Sequence, residues 1–158
     1  MAKRQGRFKE FLISKIAEHM VVQMKTPPTI AKVTKGLADS RVAFITTAGV
    51  RLKTDPAFEC KKGDPSYRII PNDVNYSDLV VNHEHYDTRD AQKDINLVFP
   101  LEILKELEKE GVIGSLSAKH FGLMGYIPQV GVLMKRTAPA IADQLVDLGV
   151  DIALLSPG

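Results

Sequence analysis

The chain has 158 residues, 44% of them hydrophobic and 25% charged, with a formal net charge of +2. That is enough chain for one domain with a real core, and the composition excludes a disordered or fibrous protein. So small a charge, with no basic stretch interleaved with aromatics and no bilayer-length apolar run, argues against a nucleic-acid or membrane partner.

No signal-peptide core follows the charged start Met1 to Arg7, and the single cysteine, Cys60, can form neither an internal disulfide nor a Cys-x-x-Cys pair. Both features suit a cytoplasmic protein. Phe8, Phe11, Leu12, Ile16, Met20 and Met24 recur at helical steps, predicting an amphipathic helix over residues 7 to 24 that ends at Thr26-Pro27-Pro28. Residues 1 to 40 are read as a helical arm and linker, and residues 41 to 158 as an α/β domain. Val42 to Thr47 is an apolar, β-rich run that predicts a buried parallel strand entering a loop at Ala48-Gly49. Brief strands are predicted at Tyr67 to Pro71 and Leu79 to Val81, within an irregular stretch from 50 to 97.

Pro100, then Leu101, Leu104 and Leu107, then Gly111 mark a surface helix with its start and stop signals. Ile113 to Lys119 is the next predicted strand, and Gly122 and Gly125 loosen the segment after it. Val132 to Leu148 has a helical pattern that Pro139 must start, kink or split. Asp151 to Leu155 is the last predicted strand. This alternation predicts an open, mostly parallel sheet flanked by helices, a Rossmann-like or flavodoxin-like half.

Ligands of such sheets bind outside the carboxyl ends of the strands, where chain order reverses. The loops after Thr47, near His120 and after Leu155 are therefore the places to look. The densest polar cluster is Asn82 to Asp87. On an extended backbone His83, His85 and Asp87 would share one side, and with His120 they could ligate a divalent metal. A polar pocket wall is preferred to a metal site, and a solvated loop is the plain alternative. His120, at the end of its predicted strand, is expected at the active edge. Arg68 is a possible carboxylate fork. Asp64-Pro65-Ser66 is a turn signature, and Cys60 beside Lys61 and Lys62 is either an activated thiol or an ordinary loop residue. The chain has no G-x-G-x-x-G, G-x-x-x-x-G-K-[ST] or G-x-S-x-G string, which disfavours nucleotide cofactors and an acyl-transfer serine.

Several strings, in order and from about residue 34 onward, resemble the selenoprotein B family of glycine, sarcosine, betaine and D-proline reductases. They are VAFITTAGVRLK (42 to 53), GDPSYRIIP (63 to 71), HEHYD (83 to 87), KDINLVFPLEILKEL (93 to 107), HFGLMG (120 to 125) and GVDIALLSPG (149 to 158). Within that family the chain is more similar to the small D-proline reductase subunit.

The resemblance implies reductive cleavage of a C–N bond. A pyruvoyl group on a partner subunit would activate the substrate amine, and a selenocysteine or cysteine just after Gly158 would attack the α-carbon. A thioredoxin-like dithiol protein would then restore the nucleophile. The resemblance also implies that the chain is truncated before that residue and inactive by itself, and that His83, His85, Tyr86, Asp87, Asn96, His120 and Ser156 line the substrate pocket. An open edge at the last strand is expected to drive homo-oligomer formation. The alternative is a non-catalytic α/β module that binds a small ligand or metal and has lost the redox centre.

Overall fold

The computed structural model describes Pro27 and residues 29 to 157. The predicted helix over residues 7 to 24 lies outside the described residues. Strand β1 (Arg41–Thr46) is the axis of the main sheet. Its Val-Ala-Phe-Ile run is predominantly apolar because the strand is flanked on both edges and covered on both faces. Val42 pairs with both Leu116 and Ile152, so β5 (Ser115–Leu116) and β7 (Ile152–Ser156) lie on opposite edges of β1. Ile45 likewise faces Phe121 of β6 (Lys119–Leu123) on one edge and Leu155 on the other. All of these pairings with β1 are parallel. Strand β3 (Tyr67–Pro71) adds an antiparallel edge to β6. The result is the mixed, mostly parallel α/β sheet that the element order predicts.

Side-chain alternation sorts the core into two layers. On one face Val42 and Phe44 pack with Val50, Leu79, Val81, Phe99, Leu101 and Leu104. These come from the β2 (Val50–Leu52) and β4 (Leu79–Val81) ribbon and from helix α2 (Leu101–Lys109) with the loop before it, joined by Ala91 of helix α1 (Arg89–Lys93). Phe44 meets Phe99 edge to face at 5.6 Å, a pairing worth ~1 kcal/mol beyond its burial. On the other face Phe121 and Leu123 pack under Ile141 and Leu145 of α4 (Ala138–Asp147). Helix α3 (Val130–Val132) leads into α4 through a π-helical turn, Leu133–Thr137, in which the Ala138 N–H reaches back to the Leu133 carbonyl. Pro139 is the cause: it has no N–H for the Lys135 carbonyl, and its ring would strike that carbonyl in a regular α-helix.

The predicted strand at Ile113 to Lys119 is in fact two pieces, with β6 running on to Leu123. Between Val42↔Leu116 and Ile45↔Phe121 the neighbouring strand advances five residues against three of β1, so the ladder is broken there. His120 fills the break. The Phe44 N–H donates to His120 Nδ1 at 3.0 Å, and His120 Nε2–H donates to Asn72 Oδ1 at 3.1 Å. His120 is wholly buried beside Phe99, and burial, with the Lys105 charge, lowers its pKa to about 4. It is a neutral core histidine in place of the expected edge residue. Gly122 does not loosen the chain either: it lies within β6, where a Cβ would sit 1.9 Å from the Val50 carbonyl oxygen. Glycine is needed there for the β2–β4 ribbon to cross the sheet.

Because His120 titrates at about 4 when folded and near 6.5 when unfolded, the unfolded chain protonates first as pH falls. Its contribution to stability is intact above pH 6.5 and is lost between 6.5 and about 4, at ~1.4 kcal/mol per pH unit. Urea unfolding across this range should show a shallower pH dependence for His120→Gln than for the parent, and a loss of ~1–3 kcal/mol at pH 7. Equal slopes in the two proteins would show that His120 is not held neutral.

Candidate functional site

With β6 on one side of β1 and β7 on the other, chain order reverses at the carboxyl end of β1. The loop there is tied to both neighbours. Thr47 N–H donates to the Ser156 carbonyl of β7 at 3.1 Å, and Gly49 N–H donates to the Leu123 carbonyl of β6 at 2.9 Å. Between them Ala48 N–H donates to Thr46 Oγ1 at 3.1 Å. All three amides are occupied, so this loop does not offer the row of N–H groups with which a phosphate-binding loop cradles its ligand.

The segment after β4 docks onto this loop. Asn82 N–H donates to the Gly49 carbonyl at 2.9 Å, and Tyr86 OH donates to the Ala48 carbonyl at 3.1 Å. Gly49 has φ +76°, and a Cβ on it would lie 2.3 Å from the Asn82 carbonyl oxygen. Only glycine permits both the turn and the approach. Residues 84 to 86 bend, so the side-chain alternation of a strand does not apply. His83 and His85 still come together, with ring centroids 5.7 Å apart, and His83 stacks on Tyr86 at 4.6 Å. The His85 ring packs on Tyr126 at 4.4 Å, and its Nε2–H donates to the Cys60 carbonyl at 3.0 Å.

The protonation of His83 follows from its contacts. Its Nδ1 accepts the His85 N–H at 3.0 Å, so the neutral ring carries its hydrogen on Nε2. That Nε2 is buried and has no hydrogen-bond partner. Burial, reinforced by His85, lowers the His83 pKa and keeps the ring neutral. An unsatisfied buried donor costs ~1–3 kcal/mol, which a ligand acceptor would relieve.

Three other candidates lie elsewhere. Asp87 is exposed and paired with Arg89, which holds its carboxyl below the ordinary range. It does not join the histidines, and among the described residues no group of His, Cys, Asp and Glu side chains is arranged to hold a metal ion. Asn96 sits at the Leu52–Leu79 end of the ribbon, away from Asn82, where it accepts from Tyr76 OH at 2.8 Å and donates to Glu102 at 2.9 Å. It braces the start of α2. His120 belongs to the core. Ser156 stands at the site through its main-chain carbonyl, while its hydroxyl donates to the Pro157 carbonyl at 3.3 Å.

Arg68 is already engaged. Its guanidinium lies 4.4 Å over the Phe58 ring and bonds Pro56, Ser66 and Tyr67. Asp64 accepts the Ser66 N–H at 2.8 Å in the expected turn. Burial, then Glu84 and Glu59, raises the Cys60 pKa, so this thiol is not activated. Asn82 is the residue whose role the sequence did not reveal. Its side-chain oxygen accepts the Phe58 N–H at 2.6 Å and its amide donates to Cys60 Sγ at 3.1 Å, pinning the 58–60 loop under the histidines. The only signal for it is an Asn directly after an apolar strand.

Residues 6 to 157 match the family described as Glycine/sarcosine/betaine reductase selenoprotein B. The D-proline reductase subunit gamma of Acetoanaerobium sticklandii is 39% identical over 147 residues, covering 93% of this chain and 60% of that protein. The sarcosine reductase complex component B subunit beta of Peptoclostridium acidaminophilum is 28% identical over 141 residues, covering 87% of this chain. The glycine reductase complex component B subunit gamma of the same organism is 28% identical over 130 residues, covering 79%. The chain spans 32% and 29% of the length of these two proteins. No solved structure matches it.

Gly49→Ala should separate the histidine segment from the β1 loop. The expected loss is ~2–4 kcal/mol of unfolding free energy, and the His83 ring resonances should move to an ordinary, higher pKa. An unchanged His83 titration in this variant would mean that the loop does not hold the cluster.

Proposed function

Since the chain belongs to the glycine/sarcosine/betaine reductase selenoprotein B family, we propose that it supplies the substrate-facing sheet edge of a reductase-complex subunit that cleaves the C–N bond of glycine, a glycine derivative or D-proline. The observation that carries this is the convergence of His83, His85 and Tyr86 on the loop where chain order reverses, with a buried Nε2–H of His83 awaiting an acceptor. In this scheme His83 Nε2–H donates to a substrate oxygen, while Tyr86 and Asn82 hold the His83 segment against the loop. Cys60 is not the nucleophile, because its thiol is buried and kept protonated.

The nucleophile is a selenocysteine or cysteine following Gly158. This reading is supported by the Thr47–Ser156 hydrogen bond, which ties the end of β7 to the same loop that Tyr86 reaches. A pyruvoyl group on a partner subunit would supply the electrophile for the substrate amine. The electrons come from a thioredoxin-like dithiol, oxidised to its disulfide as the C–N bond is reduced.

The gene should continue past the Gly158 codon with an in-frame UGA or cysteine codon, followed shortly by a further cysteine codon. An ordinary stop without downstream family sequence would remove the nucleophile from the scheme. In the assembled complex His83→Gln should lower kcat by roughly 10- to 100-fold with folding intact, and full activity would rule out a substrate contact.

The exposed side of β7 bears on assembly. Leu154 and Leu155 are 43% and 69% exposed, and β7 pairs with β1 alone among the described strands. An open apolar edge of this kind favours pairing with a second copy. Light scattering of the 158-residue chain should give a dimer or larger species that Leu155→Lys shifts toward monomer, whereas a monomer at every concentration would exclude edge pairing.

A further inference from the structure

A groove of about 440 Å³ opens between the Pro65–Tyr67 segment and the helix that follows β6. Its lining is mostly apolar, from Pro65, Tyr67, Val132 and Ala140, with Ser66, Thr137 and Arg136 as polar members. Tyr67 pairs with Leu123, so the groove lies at the carboxyl end of β6, on the same edge of the sheet as the switch point.

Arg136 is unlike the other described arginines. Arg41 donates to the Leu148 carbonyl, Arg51 to the Leu52 and Asp55 carbonyls, Arg68 to the Pro56 carbonyl, and Arg89 to Asp87. Arg136 alone among them makes no hydrogen bond or ion pair to any described residue. Its side chain is exposed, but the turn that carries it is held in place. The π-helical turn forced by Pro139 carries Arg136 and Thr137, and Thr137 Oγ1–H donates to the Pro65 carbonyl, locking that turn to the opposite side of the groove. Gln144 donates to Tyr67 OH at 2.8 Å, a second tie between the same two elements. On the loop side the Asp64–Ser66 turn and the Arg68 brace fix the backbone.

We propose that this groove is a binding site for a small carboxylic acid with a compact apolar body, held by a bidentate contact from Arg136. A guanidinium fork matches the two oxygens of a carboxylate. The groove has no second Lys or Arg in its lining and no row of free amides, so a phosphate dianion would keep much of its charge uncompensated. The apolar members accommodate an aliphatic ring or short chain. Carboxylate recognition rests on the groove itself; only the choice of an amino acid as one probe rests on the reductase function proposed above.

The test is calorimetric or NMR titration of the 158-residue chain with cyclopentanecarboxylate, cyclopentanecarboxamide, D-proline and inorganic phosphate. Cyclopentanecarboxylate should bind at least about tenfold more tightly than its amide, with shifts confined to Tyr67, Val132 and Ala140. Arg136→Gln should weaken it by a similar factor at unchanged thermal stability, because the side chain has no structural partner to lose. Equal binding of acid and amide, phosphate binding more tightly than the carboxylate, or no effect of Arg136→Gln would each overturn the proposal. Binding of cyclopentanecarboxylate with rejection of D-proline would support the groove and count against the amino-acid substrate, so the two proposals fail separately.

Discussion

Everything at the candidate site depends on how β1 ends. A parallel strand paired on both edges leaves its loop between two neighbours, and here the loop bonds to each of them: Thr47 to Ser156 of β7 and Gly49 to Leu123 of β6. These contacts fix the Ala48 and Gly49 carbonyls, which in turn receive Tyr86 OH and Asn82 N–H. The histidine segment is therefore positioned by backbone already committed to the sheet. That is a more rigid support than a loop held by its own side chains. The left-handed φ of Gly49 is the one conformational condition for it.

The parts of the fold legible in the sequence are those with a single strong periodicity. The Val42 to Thr46 run, the Leu101, Leu104, Leu107 stripe and the Ile152 to Leu155 run each answer to one partner surface, and pattern alone places them. The β5–β6 stretch is different because its path is set by other elements. Gly122 reads as a flexible point until Val50 is seen pressed against it, and His120 reads as a polar strand end until Phe44 N–H is seen donating to it. Both are tertiary requirements: one asks for the absence of a side chain, the other for an imidazole acceptor in place of a carbonyl.

The site was legible to a similar degree. The HEHY string marks a segment whose His83, His85 and Tyr86 do gather beside the β1 loop, as a polar, aromatic run directly after an apolar strand suggests. Assigning Asp87 and Asn96 to the same pocket required an extended backbone and a particular path for residues 50 to 97. The bend over residues 84 to 86 and the short β2–β4 ribbon direct them elsewhere. Asn82 and Tyr126 were hidden for the opposite reason. Asn82 acts on Cys60 and Phe58, 22 and 24 positions away in sequence, and Tyr126 packs on His85 from the far side of β6. No local pattern encodes such contacts.

The electrostatics of the sheet edge divide its possible roles. Around the histidines three titratable groups are held neutral: His83 by burial with Nδ1 already accepting, Tyr86 with its pKa raised by desolvation, and Cys60 with burial and nearby carboxylates opposing the thiolate. These three groups donate hydrogen bonds but do not attack, and the charge beside them comes from the neighbouring Glu84 and Glu59 carboxylates. A nucleophile entering this environment would have to bring its own acidity, which favours a selenolate over a thiolate, since a thiol placed here would meet the same burial that raises Cys60. The Arg136 guanidinium, which makes no hydrogen bond or ion pair to a described residue, stands apart in a groove with largely apolar walls. The neutral donor at the switch point and the Arg136 guanidinium beyond β6 are therefore chemically distinct: the first can meet an oxygen through a single N–H, the second through charge.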